Sequence, residues 1–271
     1  MVRVEMLAVG KELLIGRTMN SNAHWLGKRL ARMGTMLKEI TTVDDDLTEI
    51  ASAFRAAVKR DPDFLIVVGG LGPTPDDMTL MGISGGMGVA LRKNEQALAL
   101  IREHYARRGL THIELTPARL KMARLPAGAE AVRNEAGTAP GVRFVDGKTT
   151  VYCLPGVPVE MRGIFRRSVE PEIRKRLGRL HRKYITMKLE GVLESALAPL
   201  IAEELRRHPG AYIKSHPRGI REGVSRIELD IAVVGEDGGE TDRAGDEIAN
   251  DMKREIAKAG GKVDSARGLG G

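Results

Sequence analysis

The strongest constraint on the fold is an alternation of short apolar runs with helical patterns in the first 70 residues. Residues 2–9 and 35–43 predict strands, and each is followed by a segment whose apolar residues recur at helical spacing. The run Phe64–Val68 is apolar throughout, which is typical of a strand covered on both faces of its sheet. Strands that alternate with helices usually form parallel sheets. The sequence therefore predicts a doubly wound α/β domain with a mainly parallel sheet.

A second pattern begins near residue 184 and predicts a smaller domain. Strand-like and helical stretches follow one another there in the order β-α-β-β-α, and the last helix covers residues 242–259. This order indicates an α+β domain of the ferredoxin-like or K-homology-like kind. Pro199 fits the first helix of this domain only within its first turn. We divide the chain into a first domain over residues 1–170, a small domain over 171–260 and a disordered tail over 261–271.

The net charge of +7 favours an anionic partner, and its position in the chain matters more than its size. Residues 162–183 carry nine Lys or Arg against two Glu, a surplus of seven. We interpret this basic segment as a solvated connector between the domains; the other interpretation is a stripe that binds nucleic acid or phosphate. Few aromatic residues are present to stack on bases, which argues against nucleic acid as a partner.

The sequence predicts neither a membrane-spanning helix nor an internal disulfide. No apolar run reaches the ~18 residues that a membrane-spanning helix needs, and the first residues lack the pattern of a secretion signal. We therefore expect a soluble, cytoplasmic protein without a membrane partner. The single cysteine, Cys153, cannot form an internal disulfide, and its apolar neighbours indicate an inert buried thiol.

The stretch VVGGLGPTPDD, residues 67–77, joins a buried strand to a glycine-rich turn and two adjacent carboxylates. Gly69, Gly70 and Gly72 let backbone N–H groups approach an anion, and a following helix adds the positive end of its dipole. Asp76 and Asp77 would repel a diphosphate at this place unless a cation lies between them. A divalent metal ion, Mg²⁺, Mn²⁺ or Co²⁺, resolves the conflict because carboxylate and phosphate oxygens are its ligands.

A second interpretation of the same stretch needs no ligand. The glycines and prolines would form a turn, and the aspartates would cap the next helix. The string matches neither of the two common glycine-rich phosphate motifs, GxGxxG and GxxxxGK[ST]. Spacing alone leaves both interpretations open.

The segment GGLGPTPDDMT closely resembles the signature of the CinA family (competence/damage-inducible protein A), within the superfamily of MoaB/MogA-like molybdopterin-binding domains. Three further blocks agree in order: VGKELLIGRTMNSNAHWL at 9–26, NEAGTAPGV at 134–142 and LPGVPVEM at 154–161. The resemblance covers about residues 1–170. It implies a three-layer α/β domain that binds a nucleotide or pterin phosphate, metal-dependent hydrolysis of ADP-ribose, and a homodimer or homotrimer.

The resemblance also implies roles for individual residues. Asp76 and Asp77 would be the catalytic and metal-binding carboxylates, beside a phosphate cradle of glycines. The other positions implied to bind phosphate or nucleotide are Gly69, Gly70, Gly72, Thr74, Thr79, Glu12, Asn20, Asn22, Asn134, Gly137, Thr138, Ala139, Pro140, Gly156, Pro158 and Glu160. Structural roles remain open for the outer ones: Asn20 as a helix cap, Glu12 as a turn cap, and Glu160 as a partner of the basic segment.

The chain also departs from the family pattern. Lys11 stands where the family usually has a small polar residue, so it would contact phosphate or weaken catalysis. Four glycines within residues 81–88 would each cost a helix interior ~1 kcal/mol, and we predict a broken helix there. Long family members carry a deamidase domain acting on nicotinamide mononucleotide, which nothing after residue 170 resembles. The stretch KSHPRG at 214–219 is interpreted as a surface turn rather than a phosphate site.

Three functions remain open on sequence alone. The first is metal-dependent hydrolysis of a nucleoside diphosphate linkage such as that of ADP-ribose. The second is molybdopterin binding or adenylyl transfer in the assembly of the molybdenum cofactor. The third is a non-enzymatic module in which the basic segment and the small domain bind RNA or a protein partner.

Overall fold

The chain divides into two units, Met1–Leu177 and Gly178–Gly271, and the computed structural model describes residues 2–110, 114–178 and 180–268. The boundary falls seven residues later than the predicted one at 170, because the helix that crosses residue 170 continues to Leu177 and buries Ile173 in the first unit.

The first unit contains a six-stranded sheet with helices on both faces. The strands of the whole unit, including two outside this sheet, are β1 (Val4–Val9), β2 (Leu37–Val43), β3 (Phe64–Val68), β4 (Leu91–Lys93), β5 (Arg124–Pro126), β6 (Glu130–Val132), β7 (Gly141–Asp146) and β8 (Thr149–Leu154). Its helices are α1 (Lys11–Leu14), α2 (Ser21–Met33), α3 (Leu47–Lys59), α4 (Thr79–Met87), α5 (Glu95–Ala106), α6 (Pro117–Met122), α7 (Pro158–Ile164) and α8 (Glu170–Leu177).

The strand order of the large sheet is β2-β1-β3-β8-β7-β6, and the small strands β4 and β5 form a separate pair. Strands β2, β1, β3 and β8 are parallel; β7 pairs antiparallel with β8, and β6 pairs antiparallel with β7 at the edge of the sheet. Side chains of β1 and β3 alternate between two cores, so Leu7 and Val67 pack on one face and Met6 and Ile66 on the other. The predicted doubly wound, mainly parallel fold is confirmed.

Local sequence signals set the ends of the early helices. Asn20 caps α2 by accepting the Ala23 N–H at 3.0 Å, and Gly34 ends it in the left-handed conformation. The Asp46 side chain caps α3 by accepting two backbone N–H groups. Glu49 does not return the bond to Asp46 as a capping box would; it accepts the N–H of Asp44 instead.

The prediction of a broken helix at residues 81–88 is wrong, because α4 is a regular helix over Thr79–Met87. Its glycines allow a close approach to α3. A Cβ atom at Gly82 would lie 2.6 Å from Cγ2 of Ile50, and one at Gly86 would lie 3.2 Å from the Ala51 carbonyl oxygen. The packing against α3 therefore offsets the low helix propensity of glycine.

The basic segment is not a solvated connector. Helix α7, a π-helical turn over Phe165–Val169 and α8 follow one another without a break, and Phe165 and Val169 are buried in the first unit. Several of its cations already have partners there: Arg162 and Arg166 stack on Trp25, while Arg174 pairs with Glu170.

The second unit is a four-stranded antiparallel sheet packed on two helices. Its elements are β9 (His181–Glu190), α9 (Glu194–Arg207), β10 (Tyr212–Arg221), β11 (Val224–Gly235), α10 (Gly238–Lys258) and β12 (Lys262–Gly268). The strand order β10-β11-β9-β12 is that of a ferredoxin-like sheet.

Three predictions for this unit need correction. Most of the tail predicted to be disordered is strand β12, which pairs with β9; residues 269–271 lie outside the described residues. Pro199 is inside α9, because the helix begins five residues earlier at Glu194. The stretch KSHPRG belongs to strand β10 and is not a surface turn. Among the described residues, no helix is both long and apolar enough to cross a bilayer.

Candidate functional site

The candidate site is a cleft of about 560 Å³ in the first unit, at the carboxyl edge of the parallel sheet. Strands β1, β3 and β8 all end there, and the residues that follow them, Gly10, Gly69 and Pro155, line the cleft. Ligands of open α/β sheets bind at this edge because the loops that follow parallel strands meet there. We call this cavity the acidic cleft; its carboxylates are Glu12, Asp45, Asp76, Asp77 and Glu160.

The glycine turn after β3 is shaped by close backbone approaches. Gly69 has φ +111°, and a Cβ atom there would overlap the Val9 carbonyl oxygen. Gly70 has φ +61°, and a Cβ atom there would meet Oγ1 of Thr79. Only glycine adopts these conformations in this space, so the turn brings bare backbone to the cleft as predicted from the sequence.

Thr79 holds the turn in shape and does not line the cleft. It is fully buried, its hydroxyl donates to the Gly69 carbonyl at 2.8 Å, and its N–H donates to the Gly70 carbonyl at 3.2 Å. Thr74 serves the turn in a second way, because its N–H and hydroxyl both donate to Oδ2 of Asp77, at 2.9 and 2.6 Å. The two threonines therefore position the turn and its carboxylate.

The two aspartates lie at the cleft, and neither caps α4. The residue before α4 is Met78, and no side chain bonds to the first turn of the helix. Asp77 instead lies against Gly72, where a Cβ atom would be 2.5 Å from its Oδ2. The pKa of Asp76 lies below its ordinary value, first because of the nearby Thr74 side chain and next because of a backbone N–H. The interpretation as helix caps therefore fails.

Asp45 is a carboxylate of the cleft that the sequence analysis missed. Its pKa is raised, first by partial burial and then by the negative charges of Glu12, Asp44 and Asp76, against a lowering hydrogen bond from the Lys11 N–H. A signal was present: three aspartates follow β2, which lies beside β1 in the sheet. Recognising it required the strand order.

Lys11 and Glu12 turn in different directions. The Lys11 ammonium pairs with Asp44 at 3.1 Å on the surface, which accounts for this cation without a phosphate. The Glu12 carboxylate folds over Gly10, where a Cβ atom would lie 2.6 Å from its Oε1. Glu12 therefore adds negative charge to the cleft, and the lysine neutralises a neighbouring aspartate.

Asparagines fix two walls of the cleft. Asn20 both caps α2 and lines the cleft, and Asn22 donates from Nδ2 to the Gly156 carbonyl at 2.7 Å. Gly156 and Pro158 form the adjoining wall at the start of α7, whose first turn has no side-chain cap. These positions, predicted from the family blocks, lie together as one side of the cleft.

The loop at 134–140 is organised from inside by Asn134. This buried side chain donates to the Ala139 carbonyl at 2.8 Å and to Oε2 of Glu160 at 2.7 Å, and it accepts the Gly137 N–H at 3.0 Å. Thr138 and Ala139 line the cleft, whereas Asn134, Gly137 and Pro140 do not. Glu160 bonds to Asn134 and not to the basic segment.

No three metal-binding side chains stand close enough together, within the described part of the chain, to hold an ion by themselves. Mg²⁺ usually binds to one or two carboxylates and completes its shell with substrate phosphates and water. The carboxylates of the acidic cleft fit that kind of binding, because the charges around Asp45 repel one another and would be relieved by a cation.

This geometry defines a class of protein: one with a doubly wound α/β domain whose sheet carries a glycine turn and carboxylates at one edge. Residues 5–175 match the family described as a probable molybdopterin binding domain. A CinA protein of unknown function from Thermoplasma acidophilum is 41% identical, with a TM-score of 0.57, over 63% of this chain and 98% of that chain.

Two relatives extend the likeness into the second unit. A protein of Pyrobaculum arsenaticum is 42% identical over 225 residues, which is 83% of each chain. A protein of Metallosphaera sedula is 39% identical over 260 residues, which is 96% of each chain. The chain therefore belongs to the molybdopterin-binding domain family and is CinA-like.

Proposed function

We propose that this protein hydrolyses the diphosphate linkage of a nucleoside diphosphate compound such as ADP-ribose, with the help of a divalent metal ion. The observation that carries the proposal is the placement of Asp45, Asp76 and Asp77 beside the bare backbone of the glycine turn. A turn of this kind attracts phosphate, and carboxylates beside it repel phosphate. A site with both properties suits a metal–diphosphate complex.

The chain's own groups divide the work between them. The N–H group of Gly69 donates to the Leu154 carbonyl at 3.0 Å, so the other N–H groups of the turn and the N-terminal end of α4 would bind the diphosphate oxygens. Asp76 and Asp77 would hold the ion, and an ion bound there would supply Lewis-acid polarisation of phosphorus and a more acidic water molecule. Asp45 and Glu12 add the negative charge that keeps the ion in the cleft. The oxygen of water bonds to phosphorus, the bridging P–O bond breaks, and the departing phosphate oxygen takes up a proton.

The test is hydrolysis of ADP-ribose with Mg²⁺, Mn²⁺ or Co²⁺, followed by chromatography of the products. We expect AMP and ribose 5-phosphate only with metal, and Asp76→Asn and Asp77→Asn each to lower the rate by about 100-fold or more. Asp61→Asn is the matched control, since Asp61 is an exposed aspartate outside the cleft. Equal rates in all four proteins would refute the proposal.

The family description favours one further candidate, the binding or adenylylation of a pterin phosphate in the same cleft. Incubation with a pterin precursor and ATP separates the two functions, because adenylyl transfer would release pyrophosphate and yield an adenylylated pterin. The RNA-binding alternative loses its main support, since the basic segment is folded into α7 and α8 with several of its cations paired.

A further inference from the structure

A second cleft of about 480 Å³ adjoins the acidic cleft at the glycine turn. Gly70, Gly72 and Asp77 line both clefts, and so does Met122, the last residue of α6. A molecule whose diphosphate lies on the turn therefore reaches into both. The volume is within the usual range for small-molecule sites.

The second cleft differs from the first in its chemistry. Its lining is mostly apolar, from Leu80, Leu91 and Leu120 among others, and Asp77 is the one carboxylate among its described lining residues. Three cations stand around this apolar floor: Lys93, Lys121 and Arg124. We call it the cationic cleft. An apolar lining beside cationic side chains suits a ligand that has a ring and an attached anionic group.

The three cations differ in the contacts that their side chains make. Lys121 donates to the Thr74 carbonyl oxygen and so lies at the glycine turn, where its charge also acts on Asp76. Lys93 pairs with Glu95 at 2.8 Å on the surface. Arg124 is exposed, and its guanidinium has no ion pair or hydrogen bond with the described residues. Lys121 thus lies where the diphosphate would bind, and Arg124 is available to a further anionic group of the same ligand.

We propose that the cationic cleft binds one arm of the substrate and that this arm carries its own anionic group, such as a further phosphate on the ribose. This inference rests on the proposed function and narrows its substrate class. The preferred substrate is a nucleoside diphosphate compound with a phosphorylated arm, whereas a neutral arm leaves Arg124 without a partner.

The test compares equilibrium binding of two probes, ADP-ribose and ADP-ribose 2′-phosphate, to the full chain by calorimetry at low ionic strength. We expect the phosphorylated probe to bind the wild-type protein about fivefold tighter, since an exposed ion pair is worth up to ~1 kcal/mol. Arg124→Ala should remove this advantage and leave ADP-ribose affinity within twofold. Arg92→Ala is the matched control, because Arg92 is exposed on the same strand pair outside the cleft.

Equal affinity for the two probes, or an advantage that survives in Arg124→Ala, would overturn the inference. Both titrations contain Ca²⁺, a hard cation with oxygen ligands, and chromatography afterwards checks that neither probe has been hydrolysed, so the result reports binding alone. A protein that binds the phosphorylated probe through Arg124 but hydrolyses neither compound refutes the proposed function and keeps the cleft. A protein that hydrolyses ADP-ribose and shows no Arg124-dependent preference supports the proposed function and overturns the inference about the cationic cleft.

Discussion

Oδ2 of Asp77 accepts two hydrogen bonds from Thr74, one from its N–H at 2.9 Å and one from its hydroxyl at 2.6 Å. The carboxylate that the proposed reaction needs is therefore held by the turn that precedes it, and its position is set before any ligand arrives. A side chain fixed in this way loses little entropy when it binds a metal ion.

Removal of the Thr74 hydroxyl tests this arrangement. We expect Thr74→Val to lower metal-dependent hydrolysis by about 10- to 100-fold, the usual effect of losing a group that orients a ligand. Thr74→Ser keeps a hydroxyl and should retain most of the activity. A rate in Thr74→Val equal to that of the serine variant would contradict the assigned role.

Thr79 supports the same turn from the core, so its loss should affect stability. Thr79→Val removes the hydroxyl that donates to the Gly69 carbonyl and leaves that oxygen without its partner. We expect the free energy of unfolding to fall by about 1–3 kcal/mol. Urea denaturation measures it, and Thr48→Val, at an exposed helical position, should change stability by less than about 0.5 kcal/mol. Equal midpoints for the two variants would show that the buried bond contributes nothing.

The glycines of α4 offer a matched pair of substitutions. Gly82→Ala places a Cβ atom 2.6 Å from Cγ2 of Ile50 and should destabilise the protein by about 1–3 kcal/mol. Gly85→Ala meets nothing within 4 Å on the exposed face of the same helix, so the gain in helix propensity should stabilise the protein by about 0.5–1 kcal/mol. Thermal unfolding of both variants decides the matter, and a loss of stability in Gly85→Ala would show that α4 is not the regular helix described above.

The same helices show which structural features can be predicted from the sequence alone and which cannot. The ends of α2 were predictable because Asn20 and Gly34 act within one turn of the helix that they terminate. The helical state of α4 was not predictable, since it depends on the packing of Gly82 and Gly86 against α3, 30 residues or so away in the chain. Propensity was a correct local argument that tertiary contact overrode.

The same distinction applies to the second unit and to the site. Strand β12 follows a short glycine turn and pairs with β9, which is far away in sequence, so its glycine-rich composition indicated disorder where the sheet supplies a partner. Asp76 and Asp77 were predicted from one contiguous motif. Asp45 was missed because only the adjacency of β2 and β1 brings it to the cleft.

Asp45 gives the clearest dependence on pH and metal. Its pKa is raised in the folded chain, by burial first and by neighbouring carboxylates next, so ionised Asp45 destabilises the fold at pH values above that pKa. Asp45→Asn keeps an oxygen that can accept the Lys11 N–H and removes the charge, and we expect its melting temperature to exceed that of the wild type at neutral pH. The difference should vanish as the pH falls below the ordinary aspartate pKa of about 4, where the wild-type carboxyl is protonated in both the folded and the unfolded state.

Mg²⁺ should reverse the order of the two melting temperatures at neutral pH, because the ion stabilises the protein that retains the full set of carboxylates. Thermal melts of both proteins from pH 3 to pH 8, with and without Mg²⁺, measure all three effects. A wild type that is the more stable protein at neutral pH without metal would show that Asp45 is not under the strain that a cation is proposed to relieve.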